Sequence, residues 1–89
     1  MREICWGRTR MTAQDGRCLS CRYDVLVRFC QPPVSCESYG IRVTLEESGE
    51  SAELLDLTVS AGRIEALAGK LMRCGVTPCA LEDVIADWL

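Results

Sequence analysis

The chain has 89 residues, 48% hydrophobic and 26% charged, with 10 basic side chains against 13 acidic ones and a net charge of -3. That is the composition of an ordinary globular protein, long enough for one domain over residues 1–89 with a modest core. No run approaches the ~20 apolar residues of a membrane span, and the N-terminus lacks the apolar core of a signal peptide, so a cytoplasmic location is expected.

The first predicted strand covers about residues 3–13. Asp15-Gly16 is a strong hairpin signal, because Asp-Gly supplies the positive φ angles of a tight turn. It joins the first strand to a second over residues 17–30, in which Leu19, Cys21, Tyr23, Val25, Val27 and Phe29 alternate with mostly polar neighbours. Period-two alternation means one buried and one wet face. A two-residue turn sets Trp6 opposite Val25 and Ile4 opposite Val27, but it also turns Arg8 and Arg10 inward. A bulge at Gly7 reconciles the two halves.

Prolines at 32 and 33 end the second strand. A third places Tyr39, Ile41, Val43 and Leu45 on one face. If the connecting loop sets Cys30 opposite Cys36, then Val27 meets Tyr39, Val25 meets Ile41 and Tyr23 meets Val43. Every inward residue then finds an inward partner, the mark of an antiparallel pair. After the turn at 47–51, Leu55, Leu57 and Val59 continue as a shorter fourth strand.

The period then changes. Ile64, Leu67, Ala68, Leu71 and Met72 follow helical spacing, with Ser60 as N-cap and Gly75 as the C-terminal stop. Thr77-Pro78 opens a second helix whose apolar face is Leu81, Val84, Ile85, Trp88 and Leu89. The expected architecture is α+β: a four-stranded antiparallel meander over about 3–59, covered on one face by a helical hairpin over about 60–89.

The run Ser-Tyr-Gly-Ile-Arg-Val at 38–43 and the ending Val-Thr-Pro at 76–78, then Leu81, Asp83, Val84, Asp87, Trp88 and Leu89, resemble a family of short uncharacterised bacterial proteins. The likeness covers about the last fifty residues, with a looser similarity through Arg22-Tyr-Asp-Val-Leu-Val. It implies a fold and brings no activity, since that family is a domain of unknown function. The cysteines lie outside the shared pattern.

Chemistry is sparse. Cys18-x-x-Cys21 has redox or zinc spacing, yet residues three apart in a strand lie about 10 Å apart on opposite faces, beyond the reach of a disulfide. Cys30 and Cys36 are the better-placed thiol pair, directly opposed across two strands, but they lack two further ligands for a metal. Cys74 and Cys79 flank the turn between the helices and read as packing residues. With seven cysteines, no histidine and no export signal, most thiols are expected to stay reduced and act as small hydrophobes.

A helix-turn-helix reading of the C-terminal hairpin fails, because its second helix carries Glu82, Asp83 and Asp87 and no basic residue. These carboxylates are read as a solvated acidic surface. Six arginines lie at or before residue 30 against three acids, and the remainder holds four basic and ten acidic residues. The asymmetry is read as a basic hairpin paired with acidic helices, within one chain or between two copies, and not as a nucleic-acid arm.

The function expected is that of a non-enzymatic accessory or regulatory protein, with no cofactor and no metal, acting on an unidentified protein partner or as a homodimer. The candidate contact residues are Leu26, projecting outward among polar neighbours, and Trp88 and Leu89 at the end of the apolar stripe. The alternatives are a cysteine-based redox or metal-responsive protein using Cys30 and Cys36, and a nucleic-acid binder using the arginine-rich hairpin.

Overall fold

A computed structural model describes residues 2–12, 15–29 and 37–88. Strands β1 (Arg2–Thr12), β2 (Cys18–Phe29), β3 (Glu37–Leu45) and β4 (Ser51–Thr58) form one antiparallel sheet in the order β1-β2-β3-β4. Helices α1 (Ala61–Cys74) and α2 (Pro78–Trp88) follow. This is the α+β meander that the alternation, and then the switch to helical spacing, require.

The central pair has the expected register: Tyr23 opposite Val43, Val25 opposite Ile41, Val27 opposite Tyr39. Cys21, Tyr23, Val25, Val27, Ile41 and Val43 are buried in one cluster with Ile64, Leu67, Ala68, Leu71, Leu81 and Ile85. Burying each large side chain of this set contributes about 1.5–3 kcal/mol. The caps of α1 are those predicted. The Arg63 backbone N–H donates to the Ser60 hydroxyl, and Gly75 ends the helix in the left-handed conformation. Ahead of α2 the Thr77 hydroxyl lies 3.6 Å from the Cys79 thiol, while the Thr77 carbonyl accepts from Ala80.

β1 departs in detail from the expected register. Thr12 faces Cys18 and Gly7 faces Tyr23, one residue away from the pairing a two-residue turn imposes. Arg8 and Arg10 consequently lie opposite Arg22 and Ser20 on the outer face, where their charges stay hydrated. The register then shifts between Cys5 and Gly7, leaving Trp6 as the extra residue and setting Ile4 opposite Val25 instead of Val27. The bulge does reconcile the two halves, with arginines outward and Ile4 inward.

β4 corrects the sequence reading. Ala52 and Leu54 face the core opposite Val43 and Ile41, and Leu57 packs against it as expected, whereas Leu55 and Val59 are exposed. Between the pairs Ile41–Leu54 and Tyr39–Thr58, residues 55–57 of β4 oppose Gly40 alone, so the alternation is broken by a bulge with two extra residues. Asp56 sits at its crest with φ 56°, a conformation aspartate tolerates better than most residues.

Two hydroxyls tie the sheet to the helices. Tyr23, fully buried, donates to the Val76 carbonyl at 2.9 Å, and Thr9 donates to the Met72 carbonyl at 2.9 Å. Burial pushes the ionisation of both Tyr23 and its neighbour Cys21 upward. Both groups are therefore neutral in the fold, and each contributes stability that is complete below its unfolded pKa and is lost as pH rises through the folded value. The protein is expected to lose stability from about pH 9 upward, first through the thiol and then the phenol. Tyr23→Phe should lower stability near neutrality by about 1–2 kcal/mol, because it strips the Val76 carbonyl of its donor, and should flatten the loss above about pH 10. Urea midpoints across that range check both; an alkaline slope unchanged by Tyr23→Phe would contradict the assignment.

Candidate protein-binding face

The strands outrun the helices. The 12 residues of β2 span about 40 Å, while the 14 of α1 span about 21 Å. One end of the inner sheet face therefore projects past the N-terminal turn of α1. It is built from the start of β1, the end of β2 and the start of β3, and side chains that a helix would otherwise cover stand in the open. Ile4 is 41% exposed, Trp6 39% and Phe29 66%.

Two adjoining concavities mark this end. One, of about 180 Å³, is lined by Ile4, Trp6, Val25, Tyr39 and Ile64 among others. The other, of about 240 Å³, is lined by Arg2, Val27, Phe29 and Glu37. Arg2 and Glu37 border both and form an ion pair at 3.7 Å, and the Tyr39 hydroxyl donates to the same Glu37 carboxylate at 3.1 Å. Desolvation, and then the bond to Glu37, hold the Tyr39 phenol above its usual range. The arrangement is an aliphatic floor, aromatic walls and a polar rim with one cation, Arg2, two carboxylates, Glu37 and Glu65, and the Tyr39 hydroxyl. Such a surface can hold an apolar side chain and hydrogen-bond the chain that carries it.

The opposite, outer face of the sheet is a lattice of ion pairs. Arg8 meets Glu46 at 3.2 Å, Arg22 meets Asp24 at 3.3 Å and Arg28 meets Asp56 at 3.1 Å. Arg42 holds Glu3 on one side and Glu53 on the other, so that its bond to Glu3 reaches across β2 from β3 to β1. Arg17 pairs with Asp15 at the hairpin tip. Five of the six arginines at or before residue 30 are thus engaged by carboxylates. Three of those carboxylates, Glu37, Glu46 and Asp56, come from β3, β4 and their turn, and the other two from the first hairpin itself. Within one chain the basic hairpin is matched to carboxylates of the sheet and not to acidic helices, because most of its arginines lie on the face away from the helices. Most of these pairs are exposed, each worth up to about 1 kcal/mol.

Leu26 lies on that outer face, as the alternation requires, but it is only 1% exposed. It stands opposite Glu3 and Gly40, beside the Arg42–Glu3 ion pair, and leaves no free side chain for a partner. Trp88 packs against the core cluster, its ring covered by the Arg63 guanidinium 4.5 Å from the centroid. Leu89, Cys30 and Cys36 lie outside the described residues. Cys18 and Cys21 are free, one exposed and one buried, on opposite faces of β2; Cys74 and Cys79 are exposed. Glu82, Asp83 and Asp87 are exposed on α2. Among the described residues no three His, Cys, Asp or Glu side chains gather as metal ligands, and no helix is long and apolar enough to cross a membrane.

Sequence reasoning missed Ile4, Trp6 and Phe29 as a group. The signal was present in the lengths: strands of this size, covered by helices this short, must leave inward residues uncovered.

Residues 2–89 match DUF6514, a family of unknown function, and the chain belongs to that family. The match reaches well beyond residues 38–89, on which the resemblance in sequence chiefly rests. No curated protein and no solved structure matches the chain.

Proposed function

We infer that this member of DUF6514 is a non-enzymatic accessory protein that binds another protein through the projecting end of its inner sheet face. The observation that carries the reading is the gathering of Ile4, Trp6 and Phe29, all exposed, around one pair of concavities. Apolar patches rimmed by polar groups mark contact sites, and tryptophan is the residue most enriched among those that dominate binding energy. The outer face supports a protein partner over nucleic acid, since Arg22, Arg28 and Arg42 are engaged by carboxylates and the two arginines that stay open to solvent, Arg8 and Arg10, are too few to hold a run of phosphates. A homodimer, if one forms, would use this patch, because Leu26 is covered.

The test is a double substitution, Trp6→Ser with Phe29→Ser, in the full-length protein. Phe29 is 66% exposed but Trp6 only 39%, so the urea midpoint should fall through the lost Trp6 packing while the variant stays folded. A partner captured by the parent, identified by mass spectrometry and remade in pure form, should lose at least about tenfold in affinity for the variant. Sedimentation equilibrium at micromolar concentration separates a second copy from a different protein. Undiminished affinity of the variant for every partner of the parent would overturn the reading.

A further inference from the structure

The sheet has two free edges, and they are unlike. β4 is interrupted by its bulge at 55–57 and is touched by α2. β1 keeps a regular register over residues 7–12, with nothing paired to its outer side among the described residues. Along this stretch Arg8 and Arg10 point to the outer face, while Thr9 and Met11 point to the helix side. The Thr9 hydroxyl holds the Met72 carbonyl, which brings the last turn of α1 close to the edge; Met11 and Met72 both pack against the core while remaining partly exposed. An unpaired strand edge is a row of free backbone donors and acceptors, a template for one more strand.

We propose that β1 accepts an extended acidic segment of another protein as a fifth strand along residues 7–12. This deepens the reading above and rests on it, and it fixes the chemistry of the partner. In an added strand, the side chains on the outer face lie opposite Arg8 and Arg10, where carboxylates pair and cations repel. The Arg8 side chain remains largely exposed despite its contact with Glu46, and no salt bridge to Arg10 forms among the described residues. The intervening side chains fall beside Thr9, Met11 and Met72, where the flexible thioethers of methionine adapt to varied apolar shapes. The motif selected is therefore acidic–apolar–acidic. Residues extending past position 7 reach Trp6 and Ile4, so the edge and the apolar patch form one continuous surface.

The same charges disfavour a second copy of the chain at this edge in the registers centred on residues 8 to 10. Two-fold antiparallel pairing of β1 with itself keeps outer residues opposite outer residues. Centred on Thr9 it sets Arg8 against Arg10; centred on Arg8 or Arg10 it sets that arginine against its own copy. Like charges directly opposed destabilise a pair, which is how edges are kept from joining their own kind.

The probes are two blocked peptides, Thr-Glu-Val-Glu-Val-Glu-Thr and Thr-Lys-Val-Lys-Val-Lys-Thr, titrated into the isotope-labelled full chain and followed by amide chemical shifts. The acidic peptide is expected to shift the amides of residues 7–12 saturably, and the basic peptide to leave them unmoved. Arg8→Glu with Arg10→Glu should weaken the acidic peptide by about tenfold and admit the basic one, a reversal that mere loss of structure would not produce. Trp6→Ser with Phe29→Ser should leave binding of these short peptides intact. Failure of both peptides, equal binding of both, or shifts centred away from residues 7–12 would overturn the proposal. If the captured partner still depends on Trp6 and Phe29, only the strand-addition step falls. Shifts at 7–12 that grow with protein concentration alone would assign the edge to a second copy and likewise overturn it.

Discussion

Leu26→Asp is expected to unfold the protein. The side chain is 1% exposed, in the middle of β2, and truncating a buried leucine to alanine removes about 2–5 kcal/mol. Aspartate adds the penalty of a carboxylate placed where water is excluded. Its surroundings make this worse: Glu3 lies directly opposite and Asp24 stands two residues away on the same face. The cations near this position, Arg42 and Arg28, are already engaged, by Glu3 and Glu53 and by Asp56. Against a total stability of about 5–15 kcal/mol, toward the lower end for a domain this small, the combined loss is decisive. Leu26→Ala should remain folded and lose about 2–4 kcal/mol. Circular dichroism and urea unfolding check both. A Leu26→Asp chain that folds with an unchanged midpoint would mean that the ion-pair lattice does not cover this residue.

Gly40→Ala is expected to be the most damaging single-methyl addition in the sheet. A Cβ at Gly40 would run into the Leu54 carbonyl oxygen and stand 2.9 Å from the Leu55 Cα. Both are main-chain atoms of the β4 bulge, which cannot swing aside as a side chain can, so β4 must shift away from β3. The loss should be about 2–3 kcal/mol, rising further for Gly40→Val. Gly62→Ala is the control. It makes the same chemical change in α1, where the nearest atom is the Ser60 hydroxyl oxygen at 3.9 Å, and should stabilise by about 0.5–1 kcal/mol. Opposite signs for the two substitutions, read from urea midpoints, would identify the close approach at Gly40 as the cause. A Gly40→Ala loss no larger than a few tenths would show that the bulge yields freely.

Legibility in the sequence followed the regularity of the backbone. β2 and β3 alternate without interruption from Leu19 to Phe29 and from Tyr39 to Leu45, so one matched pair determined every other. Ser60 and Gly75 delimit α1 because their chemistry suits helix ends and little else. β4 was misread because a bulge opposite Gly40 breaks the alternation on which a stripe such as Leu55, Leu57 and Val59 depends. Nothing in the residues of β4 alone announces a neighbour without a side chain. The pairing of β1 was displaced by one because the turn determines register, and Asp15-Gly16 suits more than one loop length. Leu26 looked exposed because its neighbours on the outer face of β2, Asp24 and Arg28, are charged, while its cover comes from Glu3 and Arg42 on other strands. The projecting end escaped notice because alternation tells which way a side chain points, and says nothing of whether a helix extends far enough to meet it.

That mismatch in length also separates two demands that usually compete within a small protein. Val25, Val27, Ile41 and Val43 lie under the helices or at their margin and are nearly locked, since each substitution there must be absorbed by the packing. Ile4 and Trp6 on β1 and Phe29 on β2 line the same face, yet already face water in part, so exchanging them removes less burial than a change at those core positions. A chain built this way can acquire, sharpen or exchange a partner by changes at one end of its sheet, with less loss of folding stability than changes in the core entail.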